Sequence, residues 1–252
     1  MSYSNIFKLL MIDKIKYKNI TFNNLSEKDF PNLINGDGLF TFPAAPPLAT
    51  LELNSEYHKS LISSDYVFFD SGYFVLLLRY LKGIKVNKFS GYKFLKLLFK
   101  FLNLNKEKKI FLVDPFAKNS ENNLNYLKNL GCTNLKNYVA PIYDEISIKD
   151  EQLLKDIIDF QPEFVIINLG GGVQEVLGNF LKKNIKFKCK IICTGGAISY
   201  FTKDQAPIND TIDKLYLGWF FRLLFNPFVF IPRLTKSFSL FFKVLKDKVE
   251  II

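Results

Sequence analysis

The stretch Phe164-Val-Ile-Ile-Asn-Leu-Gly-Gly-Gly-Val-Gln-Glu-Val-Leu-Gly-Asn-Phe-Leu181 decides the fold. Residues 164–168 form a short apolar run that reads as a buried strand, and Gln174 to Leu181 carry a helical pattern. Between them lie Gly170, Gly171 and Gly172, so the unit is strand, bare loop, helix. The same order recurs outward. Ile191 to Cys193 reads as a strand and runs into Thr194-Gly195-Gly196, while Tyr66-Val-Phe-Phe69 ends at Asp70-Ser71-Gly72 before an apolar helix from Tyr73 to Leu81. Lys108 to Val113 is another buried strand, and Leu51–Leu61, Asn122–Leu130 and Asp150–Ile158 read as helices. Phe40-Thr-Phe42 ends a strand at Pro43; a short strand or helix is expected around Phe7-Lys-Leu-Leu-Met-Ile12, and a strand around Ile20-Thr-Phe22. Strands alternating with helices at this spacing predict an α/β chain with a mainly parallel sheet and helices on both faces.

Composition agrees and narrows the partners. With 252 residues, 48% of them hydrophobic, the chain can fill a sizeable core. A net charge of +10 favours an anionic partner: nucleic acid, anionic lipid or a phosphorylated small molecule. No run of 18 or more uncharged apolar residues is present, and the start lacks a signal-peptide pattern, so the expected location is cytosolic. Cys132, Cys189 and Cys193 read as buried thiols, and the single histidine, His58, leaves no ligand set for a metal and reads as a residue on a helix surface. No metal and no cofactor is expected.

In a parallel sheet, ligands sit beyond the carboxyl ends of the strands. The residues there are Thr41, Asp70, Asp114, Gly170–Gly172 and Thr194–Gly196. The triple glycine is neither a Gly-x-Gly-x-x-Gly fingerprint nor a P-loop. It reads either as a tight turn or as backbone left bare for a pyrophosphate at a helix N-terminus. Asp70 reads either as a helix N-cap or as a carboxylate able to take a proton from an attacking hydroxyl. Asn35-Gly-Asp37-Gly38 is a turn signature rather than a rival site.

Taken in order, these residues resemble the WecG/TagA/CpsF family of bacterial glycosyltransferases, from about residue 35 to 235. Asp70, Arg79, Lys88 and Gly91 follow the family's strand ending in Asp-Gly, its helix with an Arg, and its basic residue and glycine at the next helix, although Ser71 interrupts the Asp-Gly pair. Gly170-Gly-Gly-Val-Gln174-Glu175 stands for Gly-x-Pro-x-Gln-Glu; Gly195-Gly196 and Gln205-Ala206-Pro207 stand for Gly-Gly-x-Phe-Asp and Arg-Ala-Pro. Gly218-Trp219-Phe-Phe-Arg222-Leu-Leu-Phe-Asn-Pro227 stands for Glu-Trp-x-x-Arg-Leu-x-x-x-Pro. The family's Thr-x-Asn reads Thr41-Phe-Pro43, without the Asn.

The resemblance implies a Rossmann-like fold of the GT-E type and an inverting, metal-independent transfer. The donor would be a nucleotide sugar such as UDP-linked N-acetylmannosamine, the acceptor a saccharide linked to polyprenyl diphosphate. It implies Asp70 and Thr41 as catalytic residues, with Lys88, Gly91, Gly170, Gly171, Gly172, Gln174, Glu175, Gly195 and Gly196 as donor contacts. Trp219, Arg222 and Arg233 would meet the acceptor.

The composition shifts near residue 215. Within residues 220–248, eight Phe interleave with six Lys or Arg, which divides the chain into an α/β domain (1–215) and a basic, aromatic C-terminal appendage (216–252). That segment reads either as a helix packed on the core or as a helical, membrane-associating surface for anionic lipid at the inner face of the cell membrane. The expected partners are therefore donor, lipid-linked acceptor and membrane, with no nucleic acid and with a homo-oligomer left open. A binding protein of the same fold with impaired catalysis is the alternative.

Overall fold

The computed structural model describes residues 13–53, 55–144, 148–205 and 209–252. The stretch expected around Phe7 to Ile12, and Ala206 and Pro207, lie outside the described residues. Along the chain come β1 (Lys14–Tyr17), β2 (Ile20–Asn23), α1 (Phe30–Asn35), β3 (Gly38–Thr41), α2 (Ala45–Ala49), α3 (Glu56–Ser63) and β4 (Tyr66–Val67). Then follow α4 (Gly72–Lys82), α5 (Gly91–Leu104), β5 (Ile110–Asp114), α6 (Ala117–Asn129), β6 (Leu135–Val139), α7 (Glu151–Phe160), β7 (Phe164–Ile167), α8 (Val173–Asn184) and β8 (Lys190–Cys193). The last elements are α9 (Asp210–Lys214), α10 (Gly218–Phe225), α11 (Pro227–Lys246) and β9 (Val249–Ile251).

Six strands form a parallel sheet in the order β4-β3-β8-β7-β5-β6. Side chains alternate between its two faces, as the two-residue strand period requires. Ile110 and Leu112 of β5 and Phe164 and Ile166 of β7 pack with Phe94, Leu95 and Leu98 of α5 and Leu127 of α6. Their neighbours Phe111, Val113, Val165 and Ile167 pack on the other face with Leu153 and Ile157 of α7 and Leu177 and Leu181 of α8. Each of these buried side chains contributes roughly 1.5–3 kcal/mol of transfer free energy, so apolar runs without polar alternation are what a strand covered on both faces needs.

β6 was not visible in the sequence because it lies at the sheet edge, where its residues are half-buried or exposed and no apolar run marks it. The helix expected from Leu51 starts later, where Ser55 caps α3 by accepting the His58 N–H at 3.2 Å. The strand expected over 66–69 pairs in the sheet only at Tyr66 and Val67.

A second, antiparallel sheet, β2-β1-β9, joins the first and last described strands. It extends through the C-terminal segment: Leu240 and Val244 of α11 are fully buried with Ile15, Tyr17, Phe22, Leu48 and Phe74, and Asp247 accepts the Tyr17 hydroxyl at 3.0 Å and pairs with Lys18 at 3.0 Å. The segment 216–252 is thus of two kinds, since its last third is built into the body while α10 and the first half of α11 carry no buried residue up to Ser237. No described helix is long and apolar enough to cross a membrane.

Candidate functional site at the carboxyl ends of the strands

Asp70 follows the buried pair Phe68-Phe69 at the end of β4. It does not cap the next helix. Ser71 does, accepting the Phe74 N–H at 3.2 Å. The Asp70 carboxylate reaches instead across the sheet end, where its Oδ1 accepts the backbone N–H of Gly91, the first residue of α5, at 2.8 Å. A Cβ on Gly91 would come within 3.2 Å of Thr194 Cβ, just past β8, so the glycine lets three segments close on one point.

Asp70 is half-buried, and desolvation raises its carboxyl above the usual range. The Gly91 N–H and the charges of Arg222 and Lys88 oppose that rise, whereas Asp213 adds to it. Lys88 donates to the Asp213 carboxylate at 2.5 Å and to its carbonyl at 2.8 Å, with its ammonium 5.4 Å from the Tyr216 ring centre. Tyr216 packs so closely on Gly72 that a Cβ there would lie 2.6 Å from its ring. The Arg222 guanidinium lies 5.1 Å from the centre of the Tyr200 ring, and its Nε is buried with no hydrogen-bond partner. Residues 213–222 therefore close over Asp70 and Lys88.

The two glycine loops are braced from beneath. Gly172 takes φ +97°, where a side chain would be strained, and its N–H donates to Glu175 Oε2 at 2.7 Å. Gln174 donates to Glu175 Oε1 at 3.0 Å and accepts the Gly195 N–H on its own Oε1 at 2.7 Å. Both side chains are buried within this brace, and they hold the loops after β7 and β8 in register rather than facing outward. Burial pushes the Glu175 carboxyl up to about 7 against its hydrogen bonds, and the Asp70 charge raises it further. Gly170 and Gly171 are exposed, and a Cβ on Gly170 would meet nothing within 4 Å, so neighbouring packing does not demand that glycine.

Thr41 closes β3 at this same end of the sheet, paired with Val67 and Cys193, but it is fully buried and its hydroxyl donates to the Tyr66 carbonyl at 3.3 Å. Other expected residues lie elsewhere. Trp219 is half exposed on α10, and Arg233 is exposed on α11 with its guanidinium 5.3 Å from the Phe230 ring. Neither is brought to Asp70 by a contact among the described residues. His58, expected on a helix surface, is instead buried with Nε2 2.7 Å from the Lys18 carbonyl, because that face of α3 packs on the β1–β2 turn; the three cysteines are buried and free. Among the described residues no group of three or more His, Cys, Asp or Glu is placed to hold a metal. An open depression of about 440 Å³ lined by Asp37, Lys182 and Lys186 lies where β3 and β8 begin, at the opposite end of the sheet from Asp70.

Asp213, Tyr200 and Tyr216 were missed in the sequence, and Asp213 could not have been found there. Its partner Lys88 is 125 residues away, and no spacing rule links them. The model of the family described as "Glycosyl transferase WecG/TagA/CpsF family" matches residues 14–251, nearly the whole chain. No curated protein matches the sequence.

Proposed function

The chain belongs to the WecG/TagA/CpsF family of glycosyl transferases, enzymes of cell-surface polysaccharide synthesis that use a nucleotide-sugar donor and a lipid-linked acceptor, and from that premise we propose that it transfers a sugar from a UDP-linked donor to a hydroxyl of a saccharide carried on polyprenyl diphosphate. Asp70 is the general base. The acceptor hydroxyl attacks the anomeric carbon while its proton passes to the Asp70 carboxylate. The bond from that carbon to the diphosphate oxygen breaks on the opposite face, so configuration inverts and UDP leaves with the electron pair. The exposed backbone of Gly170 and Gly171 ahead of α8, together with Lys88 and Arg222, stabilises the charge on the leaving diphosphate without a metal.

The observation that carries this reading is the Asp70–Gly91 hydrogen bond. The carboxylate is not tied to the helix that follows it; one oxygen is fixed by the first N–H of α5, which leaves the other for an acceptor hydroxyl. The acceptor surface is α10 and the first half of α11. Phe225, Phe228 and Ile231 are 56, 90 and 51% exposed beside Arg233 and Lys236, a composition suited to an anionic membrane surface. On this reading residues 216–236 form the appendage and the rest is the catalytic body.

The test is release of UDP from a panel of UDP-sugars in the presence of a polyprenyl-diphosphate saccharide. Acceptor-dependent release with one sugar supports the assignment. The pairing of Lys88 with Asp213 favours a second reading, a sugar-nucleotide binder with impaired turnover; donor binding without release in any combination would establish that one instead.

A further inference from the structure

β5 and β7 are neighbours in the sheet, yet the chain leaves them toward opposite faces: β5 leads to α6, packed with Leu112 and Ile166, and β7 leads to α8, packed with Val113 and Ile167. Where adjacent strands send their connections to opposite faces, a crevice opens beyond their carboxyl ends. We propose that this crevice holds the nucleoside of the donor, with the ring of Phe116 as the wall on which the base stacks. The proposal rests on the reading of the chain as a nucleotide-sugar transferase, and adds a place for the base and a residue that recognises it.

Three observations support it. Phe116, two residues beyond β5, is 66% exposed, whereas every other described phenylalanine before α9 is buried or half-buried. An aromatic ring left in water at the ligand end of a sheet, away from the aromatic C-terminal segment, has no packing role to explain it. Asp114, the last residue of β5, is fully buried and accepts on Oδ1 the side-chain N–H groups of Asn123 and Asn168, each at 2.7 Å. The side-chain carbonyls of both asparagines, and the second carboxylate oxygen of Asp114, are buried with no partner. Buried acceptors of this kind require a donor; the oxygens lie beneath the surface, so an ordered water would supply it and pass the polarity on to a base edge bearing an N–H, as uracil does. Finally, Asn168 is only two residues before Gly170, the exposed loop already assigned to the diphosphate. Since adjacent strands lie about 4.8 Å apart, wall and loop are within the length of one nucleotide.

Titration calorimetry of the full chain with UDP and with inorganic pyrophosphate tests this. Stacking of one base on an aromatic side chain corresponds to roughly 5- to 150-fold in affinity. Phe116→Ala should weaken UDP by a factor in that range, leave pyrophosphate binding unchanged, and leave the unfolding midpoint unchanged because the ring is exposed. Phe116→Tyr should bind UDP within about threefold of the parent, since tyrosine retains the stacking face. UDP affinity of Phe116→Ala within twofold of the parent, or an equal loss for UDP and pyrophosphate, overturns the proposal. If the parent chain binds neither UDP nor another nucleoside diphosphate, the transferase reading itself falls, and the base site with it.

Discussion

The carboxylate of Asp70 accepts the backbone N–H of Gly91 at 2.8 Å, so a residue at the end of β4 is held by the first turn of α5. One oxygen is fixed by a donor that cannot rotate away. The second is the one offered to an incoming hydroxyl on the proposed mechanism, and the positive end of α5 favours the ionised form.

Asp70→Asn keeps an acceptor for the Gly91 N–H and removes the base. Transfer should fall by about 10²-fold or more, with UDP affinity and unfolding midpoint close to the parent. Asp37→Asn, at the other end of the sheet, should leave turnover near normal. Near-normal turnover in Asp70→Asn combined with a large loss in Asp37→Asn would show the wrong aspartate has been chosen.

Glu175 sets a pH dependence of stability. Its carboxyl is raised from 4.5 to about 7, so the folded chain holds this proton more tightly than the unfolded one. The associated stability is fully present below pH 4.5 and is lost as pH rises through 7; ionising the buried group costs on the order of 3 kcal/mol. Denaturation midpoints taken from pH 4.5 to 8 should decline across that window in the parent and flatten in Glu175→Gln. That variant should also be less stable at the acid end, because its amide N–H groups meet the Gly172 or Gln174 donors. Parallel profiles for the two proteins would exclude Glu175 as the titrating group.

Transfer should persist in excess chelator. The diphosphate charge is assigned to backbone amides, Lys88 and Arg222, and no described cluster of acids, histidines or cysteines offers a metal a ligand set. Rate measurements before and after chelation, with divalent ions added back, check this. A loss reversed only by the added ion would refute the proposed stabilisation of the leaving group.

Membrane contact should map to the outer face of α10 and early α11. Removing everything from Gly218 onward is the wrong variant, since Leu240, Val244 and the β1–β9 pairing would go with it and the body would lose part of its core. Phe225→Ser with Phe228→Ser and Ile231→Ser spares those contacts. Burial in an apolar phase is worth roughly 1.5–3 kcal/mol per large side chain, so sedimentation with anionic liposomes should fall at least 10²-fold while UDP binding is kept. Arg233→Glu should act in the same direction. Unchanged sedimentation of the triple variant would remove this face from the membrane reading.

The sequence by itself determined the parallel sheet apart from its edge strand β6, because strands covered on both faces must be apolar without interruption, as at Phe164–Ile167, and because β4, β5 and β7 run into an acid or glycines before a helix. It also marked Asp70 as a strand-end residue and the glycine loops, whose backbone roles leave a local trace, while Gly91 was marked by the family resemblance. The direction in which a side chain points and the partner it meets leave none. Thr41, at a strand end, turned into the core, and Gln174 and Glu175 turned under the loops they border. Lys88 found Asp213, and the C-terminal strand returned to β1. These outcomes depend on which distant segments the fold brings within a few ångströms, and burial then decides whether a polar group faces a ligand or becomes part of the frame.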